Sequence, residues 1–273
     1  MNTQPHKRIW VWGAAVLLFV FGCGSNEDSA GPPDISVTNT YLESAVLDLT
    51  GGRMGVFCLA PPGMCPGHFD MSPEQIRRLL NSRLLFRFDF QEGLDDKLSR
   101  MQAKIVPVEG RAGLCIPQTY LDTCRDMLSH LAAAFPESRA VFADEFDTLE
   151  ASVLAASAEI RARIEEAGLR GQAVLVSWHQ SEFARWLGLE VAAEFQGADT
   201  MTPSQIARCL EAGRQQNVRL VIANLQEGTE LPRRLADQLN ARLAVFSNFP
   251  DPKTEAESPF VRMLRENAAG LIP

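Results

Sequence analysis

Two hydrophobic spacings alternate along this chain, and they predict that strands and helices follow one another throughout. Short apolar runs bounded by turn residues predict strands, whereas apolar residues three and four apart predict amphipathic helices. The predicted strands cover 35–37, 56–59, 86–90, 104–108, 173–177, 190–195, 218–223 and 242–247. The shorter predicted helices cover 42–49, 73–80, 119–135, 181–187, 203–215, 230–240 and 260–268. Because strands separated by helices favour parallel sheets, the pattern predicts an α/β fold.

One predicted helix is much longer than the others. The segment from Arg139 to Ala167 contains neither glycine nor proline, and Gly168 follows it as a stop signal. A helix of that length spans roughly 43 Å at about 1.5 Å per residue. Its apolar repeat is too brief and irregular to favour a coiled coil. We therefore predict a linker helix at 139–168 that joins an N-terminal lobe at 34–138 to a C-terminal lobe at 169–273.

The two predicted lobes share a sequence echo. Ser72-Pro-Glu-Gln-Ile-Arg-Arg-Leu-Leu in the first lobe returns as Thr202-Pro-Ser-Gln-Ile-Ala-Arg-Cys-Leu in the second. Each copy has a hydroxyl residue before proline and a glutamine at the third helical position, which is the pattern of a capping box. Each copy also leads into a predicted strand. We interpret the echo as two lobes of related architecture that face each other.

The N-terminus has the layout of a secretory signal. Basic residues precede an apolar run from Ile9 to Phe21 that is too short for a comfortable membrane span. Val20-Phe21-Gly22-Cys23 resembles the lipobox of bacterial lipoproteins, in which the cysteine is lipidated and becomes the new N-terminus. We expect a signal peptide at 1–22, a lipid on Cys23 and a flexible tether at 23–33. An uncleaved N-terminal anchor is the alternative. With either a lipid anchor or an uncleaved one, the rest of the chain is expected outside the cytoplasm.

The net charge and the cysteine content indicate which classes of function the sequence favours. The net charge of -8 argues against a nucleic-acid binder, which needs basic patches. Disulfides are possible in an oxidising compartment, but no CxxC redox motif is present. Cys209 is predicted to be a small buried apolar residue on a helix. The other cysteines of the mature chain can be ligands, disulfides or free thiols, with Cys58–Cys65 and Cys115–Cys124 as conceivable pairs.

Two histidines occupy matching positions in the predicted lobes. His68 lies in a Pro/Gly-rich loop between a strand and a helix, and His179 directly follows another strand. Ligands of open α/β sheets bind beyond the carboxyl ends of the strands. Imidazole is a ligand for zinc, copper, iron and nickel, and it also occurs in manganese sites. The placement therefore predicts a metal site to which each lobe contributes one imidazole.

The segments around both histidines resemble a known family. PPGMCPGHFDMSPEQIRRL (61–79) and VSWHQSEFARWLGLE (176–190) are similar to ligand motifs of the zinc/manganese ABC-transporter substrate-binding lipoproteins. In the second motif Phe183, Trp186, Gly188 and Leu189 accompany the histidine. The resemblance covers nearly the whole mature chain. It implies two Rossmann-like lobes with parallel sheets, a long rigid helix between them, and a metal site in the cleft that contains His68 and His179.

This chain also departs from the pattern of that family. Cys115 stands where the family has a further ligand histidine, so the resemblance implies the ligand set His68, Cys115 and His179. Asn224 and Asn248 stand where a carboxylate of the second lobe usually completes the site. Glu227 or water can take that place, and the fourth ligand stays open. A thiolate suits zinc or copper(I) better than manganese, which favours zinc as the cargo.

The expected function follows from this resemblance. We expect a monomeric, lipid-anchored, extracytoplasmic protein that captures zinc, with manganese or copper as alternatives, and passes it to an ABC permease. It has no catalytic role and no nucleic-acid partner. One alternative is a metal-degenerate adhesin or accessory binding module of the same fold. A thiol redox lipoprotein is another, which the missing CxxC motif disfavours. A zinc hydrolase is disfavoured because no general base is paired with the histidines.

Overall fold

The computed structural model describes Met1 and residues 33–60, 71–95, 104–253 and 257–272. His68, Cys65 and the predicted lipid attachment site Cys23 lie outside the described residues. None of the helices within the described ranges is long and apolar enough to cross a membrane. The segment Pro32–Pro273 forms one compact unit, of which the two lobes are subdivisions.

Eight strands in the described ranges form two four-stranded parallel sheets. The strands are β1 (Ile35–Val37), β2 (Val56–Cys58), β3 (Leu84–Phe88), β4 (Lys104–Val108), β5 (Ala173–Ser177), β6 (Glu190–Phe195), β7 (Leu220–Asn224) and β8 (Arg242–Phe246). The order is β2-β1-β3-β4 in the first sheet and β6-β5-β7-β8 in the second. Because the orders match, every strand of one lobe has a counterpart in the other. The predicted α/β fold class is confirmed.

Eight α-helices accompany the strands in the described ranges. They are α1 (Thr40–Thr50), α2 (Pro73–Asn81), α3 (Pro117–Ala134), α4 (Arg139–Glu166), α5 (Ser181–Trp186), α6 (Pro203–Gln215), α7 (Glu230–Leu239) and α8 (Pro259–Ala269). Short 3-10 helices follow β3, β5 and β7. These short helices carry the chain away from the carboxyl ends of the strands, where the candidate ligands lie.

The sequence echo corresponds to a structural repeat. α2 joins the second and third strands of its lobe, and α6 does the same in the other lobe. Both helices begin with a capping box. The Ser72 hydroxyl accepts from the Gln75 amide at 3.2 Å, and the Gln75 side chain accepts from the Ser72 amide at 2.8 Å. Thr202 and Gln205 repeat this exchange. The echo therefore marks equivalent crossover helices of two related lobes.

The long helix α4 joins the lobes as predicted. It packs on α1 and α3 of the first lobe and on α8 near the end of the second. Its buried residues recur at intervals of three and four: Phe142, Phe146, Leu149, Val153, Ala156, Ile160 and Ile164. They belong to a single apolar core that includes residues of both sheets. A continuous helix inside a shared core restricts movement between the lobes.

Strand β3 differs from its sequence prediction. The alternation of Phe86, Phe88 and Phe90 with polar residues predicts a strand at 86–90, but β3 covers Leu84–Phe88 and all five of its residues are buried. Parallel strands are covered on both faces, which removes the alternation. Arg87 is buried and its Nε donates to Asp95 Oδ1 at 2.7 Å. Phe90 lies in the 3-10 helix that follows β3 and is 69% exposed.

A half-buried carboxyl group joins α1 to the start of α8. Asp48 Oδ2 accepts hydrogen bonds from the Tyr120 hydroxyl at 2.6 Å and from the Ser258 hydroxyl at 2.8 Å. Ser258 also caps α8 by accepting from the Val261 amide at 3.3 Å. Burial raises the pKa of Asp48 to about 6, against its ordinary value of 3.8, although both hydrogen bonds favour the ionised form.

Asp48→Asn should alter the pH dependence of stability. The folded protein binds the Asp48 proton more tightly than the unfolded chain does. The stabilisation that this bound proton gives is fully present below about pH 3.8 and is lost as the pH rises through about 6. Lowering the pH from 8 to 4 should stabilise the wild type relative to the variant by about 2 kcal/mol. Urea unfolding at both pH values measures this difference. The exposed Asp237→Asn change is the control, and a pH-independent difference for Asp48→Asn would contradict the prediction.

Candidate metal centre

The residues best placed to form a ligand site are those that follow the central strands of each sheet. In a doubly wound sheet, ligands bind at the switch point, where neighbouring strands lead into connections on opposite sides. The strand orders place these points between β1 and β3 in the first lobe and between β5 and β7 in the second. The residues that follow β5 and β7 are therefore the first to consider.

An imidazole–carboxylate pair occupies the switch point of the second lobe. His179 lies in the 3-10 helix after β5, Glu227 lies in the 3-10 helix after β7, and His179 Nδ1 is 3.1 Å from Glu227 Oε1. The hydroxyl of Ser177 donates to the other carboxylate oxygen of Glu227. Burial alone raises the pKa of Glu227, but hydrogen bonds from His179 and Ser177 outweigh it and leave the pKa below its ordinary value. Glu227 is therefore an anion at neutral pH.

The pairing with Glu227 resembles the arrangement of a metal-ligating histidine. The side chain of His179 is 47% exposed. A histidine that ligates a metal usually donates its second ring N–H to a carboxylate, which fixes the ring and the tautomer. With Nδ1 directed at Glu227, the Nε2 atom of His179 is the one available to an ion. Glu227, expected as a possible fourth ligand, lies where it supports His179.

Three buried carboxamides lie beside this pair. The Nε2 of Gln180, the residue after His179, donates to Asn248 Oδ1 at 2.7 Å and to Asn224 Oδ1 at 3.2 Å. All three side chains are buried. The two asparagines thus share one neutral donor. The arrangement supplies oxygen atoms without supplying negative charge.

Cys115 connects the first lobe to these carboxamides. It precedes α3 and is 1% exposed. Its sulfur lies 3.2 Å from the Ser247 carbonyl oxygen and 3.3 Å from Asn248 Oδ1. Burial raises the pKa of the Cys115 thiol to about 12, against an opposing effect of the nearby Gln180 side chain. The thiol is therefore protonated at neutral pH, and it can become a ligand only if an ion displaces its proton.

Among the described residues, the switch point of the first lobe is built from neutral groups. The Thr38 hydroxyl donates to Gln91 Oε1 at 2.8 Å, and the Phe88 amide donates to the same oxygen at 2.9 Å. The side chain of Asn39 caps α1. These groups close the end of the sheet and offer an ion no charged ligand. The described charged groups of the candidate site come from the second lobe.

The structure places only part of the predicted ligand set. His179 is beside Glu227, Cys115 is beside Asn248, and His68 lies outside the described residues. Within the described ranges, no three His, Cys, Asp or Glu side chains converge in a way that could hold a metal ion. Sequence reasoning missed Gln180. Its only sequence signal was its position next to His179.

The cysteines in the described ranges are not cross-linked. Cys58, Cys115, Cys124 and Cys209 are all free thiols, so a Cys115–Cys124 bridge is not formed. Cys209 is 5% exposed on α6, as predicted for a small buried apolar residue. Burial also raises the pKa of Cys58 and Cys124, which suppresses the reactive thiolate form.

Two parallel α/β lobes, a long joining helix and candidate ligands at strand ends define a two-lobed binding protein. A model of the family described as zinc-uptake complex component A, periplasmic (ZnuA) matches residues 115–272, more than half of the chain. The chain belongs to this family, whose members are substrate-binding components of metal transporters. The family expected from the motifs around His68 and His179 is thus confirmed. A comparison with curated proteins gave no match.

Solved structures agree on the fold. A crystal structure of ZnuA has 13% identity and a TM-score of 0.73 over 88% of this chain and 98% of that one. A Mn-bound periplasmic metal-binding protein from Candidatus Liberibacter asiaticus has 11% identity and a TM-score of 0.72, over 87% and 97%. A mutant of the laminin-binding adhesin Lmb from Streptococcus agalactiae has 10% identity and a TM-score of 0.72, also over 87% and 97%. At such low identity these similarities establish the fold.

Proposed function

We propose that this protein captures a transition metal ion outside the cytoplasm, zinc in the first place, and delivers it to an ABC-type permease. The observation that supports this proposal is the His179–Glu227 pair at the switch point of the second lobe, with Nδ1 of the histidine 3.1 Å from the carboxylate. A chain of this family needs an ion ligand at that edge, and a fixed, partly exposed imidazole is suited to the task. Binding and release are sufficient for this function, and no catalytic step is proposed.

The proposed ligands come from both lobes. His179 binds through Nε2, while His68 and Cys115 contribute from the first lobe. Three such donors, with water or the Asn248 oxygen as a neutral fourth ligand, match the nitrogen and sulfur preference of tetrahedral zinc. Copper(I) also accepts a thiolate, whereas manganese prefers oxygen. Since Cys115 is protonated before it binds, uptake should release a proton and weaken at lower pH.

The remaining parts of the proposal concern attachment and assembly. Cys23 carries the lipid that holds the protein at a bacterial membrane, on its periplasmic side or at the cell surface, after the signal peptide 1–22 is removed. Residues 23–33 form the tether, and lobes at 34–138 and 169–273 flank the linker helix 139–168. The protein acts as a monomer and docks on its permease. Mass spectrometry of the membrane-extracted protein tests the lipid on Cys23.

Metal titration of the full-length protein tests the proposal. Under reducing conditions we expect one zinc ion per chain, and a loss of affinity of at least about a hundredfold in His179→Ala and in His68→Ala. Loss of a supporting partner alone costs about 10–100-fold, so loss of a ligand should cost more. His130→Ala, which removes a half-buried histidine on α3, is the control and should bind zinc normally. If zinc, manganese and copper all fail to bind, the metal-binding function is wrong.

A metal-degenerate binding module is the second candidate. The observation that favours it is the neutral cluster of Gln180, Asn224 and Asn248, which lacks the negative charge of a carboxylate. An adhesin has the same fold, which makes a binding function without ion transport reasonable. A folded protein that binds none of the three metals would support this candidate. The redox alternative is disfavoured further because burial raises the thiol pKa of Cys58, Cys115 and Cys124.

A further inference from the structure

A cavity of about 470 Å³ lies on the second lobe between the edge strand β6 and helix α6, and we call it the β6–α6 cavity. Its volume falls within the range of about 300–1,000 Å³ that is usual for small-molecule sites. The lining residues that matter here are Trp178, Ala193, Phe195, Met201, Arg208 and Cys209. The candidate ligands described above are not among the residues that line it.

The pairing of the strands shows which residue of the first lobe corresponds to the cavity wall on β6. Phe57 of β2 pairs with Ser36, and Ala193 of β6 pairs with Leu175. Ser36 and Leu175 in turn pair with the second residue of β3 and of β7, respectively. Ala193 is therefore the counterpart of Phe57. Leu175 is larger than Ser36, so it recovers only part of the volume that the aromatic ring fills in the first lobe.

The helices beside these strands correspond in the same way. Residues 71–80 and 201–210 are buried, half-buried and exposed in the same order, which aligns α2 with α6. The alignment makes Cys209 the counterpart of Leu79. An arginine directly precedes each of these two residues. The second lobe therefore has smaller side chains on both the strand and the helix, but it keeps the arginine.

In the first lobe an aromatic ring fills the equivalent space. Phe57 and Leu79 belong to one apolar cluster, and the guanidinium carbon of Arg78 lies 4.3 Å from the centroid of the Phe57 ring. A cation over an aromatic face is attracted by the ring's quadrupole. Arg208 occupies the position of Arg78, but alanine replaces the phenylalanine beneath it. The first lobe thus indicates an aromatic ring as the group that suits the β6–α6 cavity.

The charges at the cavity favour a ligand that carries a negative charge. Arg208 is exposed, and no ion pair joins it to a carboxylate in the described part of the chain. Glu194 also lines the cavity, but Arg185 Nη2 lies 2.8 Å from its carboxylate and compensates that charge. Trp178 is 55% exposed and adds a second aromatic surface. An aromatic ring with an anionic substituent therefore matches the lining residues.

We propose that the β6–α6 cavity binds a small aromatic carboxylate, with its ring in the place that Phe57 takes in the first lobe and its carboxylate at Arg208. The ring contacts Trp178 and the small side chains of the cavity. The indole and the guanidinium both interact more strongly with an aromatic ring than with a saturated ring of similar size. The site requires no metal ion and goes beyond the proposed function.

Calorimetric titration of the full-length protein with naphthalene-2-carboxylate tests the proposal. A chelator keeps the protein free of metal, so the carboxylate cannot bind through an ion. Decahydronaphthalene-2-carboxylate has the same charge but no aromatic ring. We expect one site, with about tenfold weaker binding of the saturated probe because it lacks the aromatic contacts with Trp178 and Arg208. Equal affinities of the two probes, or no binding of either, would overturn the proposal.

Ala193→Phe returns the aromatic ring of the first lobe to the cavity and should abolish binding of both probes. Arg208→Gln should weaken binding of naphthalene-2-carboxylate about fivefold, because it removes the cation from the ring and the carboxylate. The matched control is Arg78→Gln on α2, where Phe57 already fills the equivalent space, and it should bind the probe normally.

Binding that survives Ala193→Phe would contradict the proposal, and so would equal losses in the two arginine variants. Cys209→Leu, which also introduces the residue of the first lobe, replaces Ala193→Phe if that variant does not fold. It should weaken binding of naphthalene-2-carboxylate at least about tenfold by filling the cavity from the side of α6. Unchanged binding in a folded Cys209→Leu variant would overturn the proposal.

Discussion

Asn248→Asp should bind zinc roughly tenfold to hundredfold more tightly than the wild type, a gain of about 1.4 to 2.8 kcal/mol. Asn248 Oδ1 lies 3.3 Å from the sulfur of Cys115, so the variant places an anionic oxygen beside a proposed ligand without a change in side-chain size. Zinc accepts carboxylate oxygen readily. The Gln180 amide, 2.7 Å from the same atom, remains available to stabilise the new charge. Competition with a chelator of known affinity measures the gain.

The same substitution should weaken the protein before zinc is added. A carboxylate at a position that is 4% exposed loses hydration, so its pKa should rise and its unfolding free energy should fall at neutral pH. Zinc should then restore stability by more than it does in the wild type. Asn217→Asp, on the exposed turn before β7 and so at the opposite edge of the sheet, is the charge-matched control. Unchanged zinc affinity in Asn248→Asp would mean that Asn248 lies outside the metal site.

Ile160→Ala should cause the largest loss of stability, about 3 kcal/mol. Ile160 is fully buried on α4 in the core shared by the two lobes. Its truncation removes apolar contacts and leaves a cavity, and such changes cost about 2–5 kcal/mol in other cores. The lobes share this core, so a single urea transition should move to lower concentration. Fluorescence and circular dichroism, followed together, test whether both lobes unfold in that one transition.

A neighbouring leucine on the same helix provides the matched control. Leu154 lies on the opposite face of α4 and is 56% exposed. Leu154→Ala changes helix propensity in the favourable direction and removes little buried surface, so we expect a change within about 0.5 kcal/mol. Equal losses in Leu154→Ala and Ile160→Ala would show that α4 does not bury the face described for it.

Local sequence signals were sufficient for much of the fold. The glycine-free and proline-free segment predicted a helix at 139–167, and α4 covers Arg139–Glu166. The Ser72 and Thr202 caps predicted two equivalent helices, and both capping boxes are formed. Caps, breakers and apolar periodicity act within a few residues of one another, so they can be read without knowledge of the rest of the chain.

The alternation of apolar and polar residues around β3 is misleading about burial, and the reason lies in the tertiary structure. Period-two patterns predict one solvated face, yet Arg87 is buried and Phe90 is exposed. Arg87 is accommodated because Asp95, eight residues later, returns to pair with it. That pairing depends on how the chain turns after the strand. The pattern alone cannot distinguish a solvated arginine from one whose charge is compensated inside the protein.

By itself, the sequence of this protein determined the order of its strands and helices, the position of His179 at a strand end and the family to which the chain belongs. Only the tertiary structure decided what those residues touch. It placed Glu227 against Nδ1 of His179, although 48 residues separate them, and it buried Cys115 against Ser247 and Asn248. Such contacts join segments far apart in the chain, so they arise from the matching crossovers of the two sheets and from the helix that joins them.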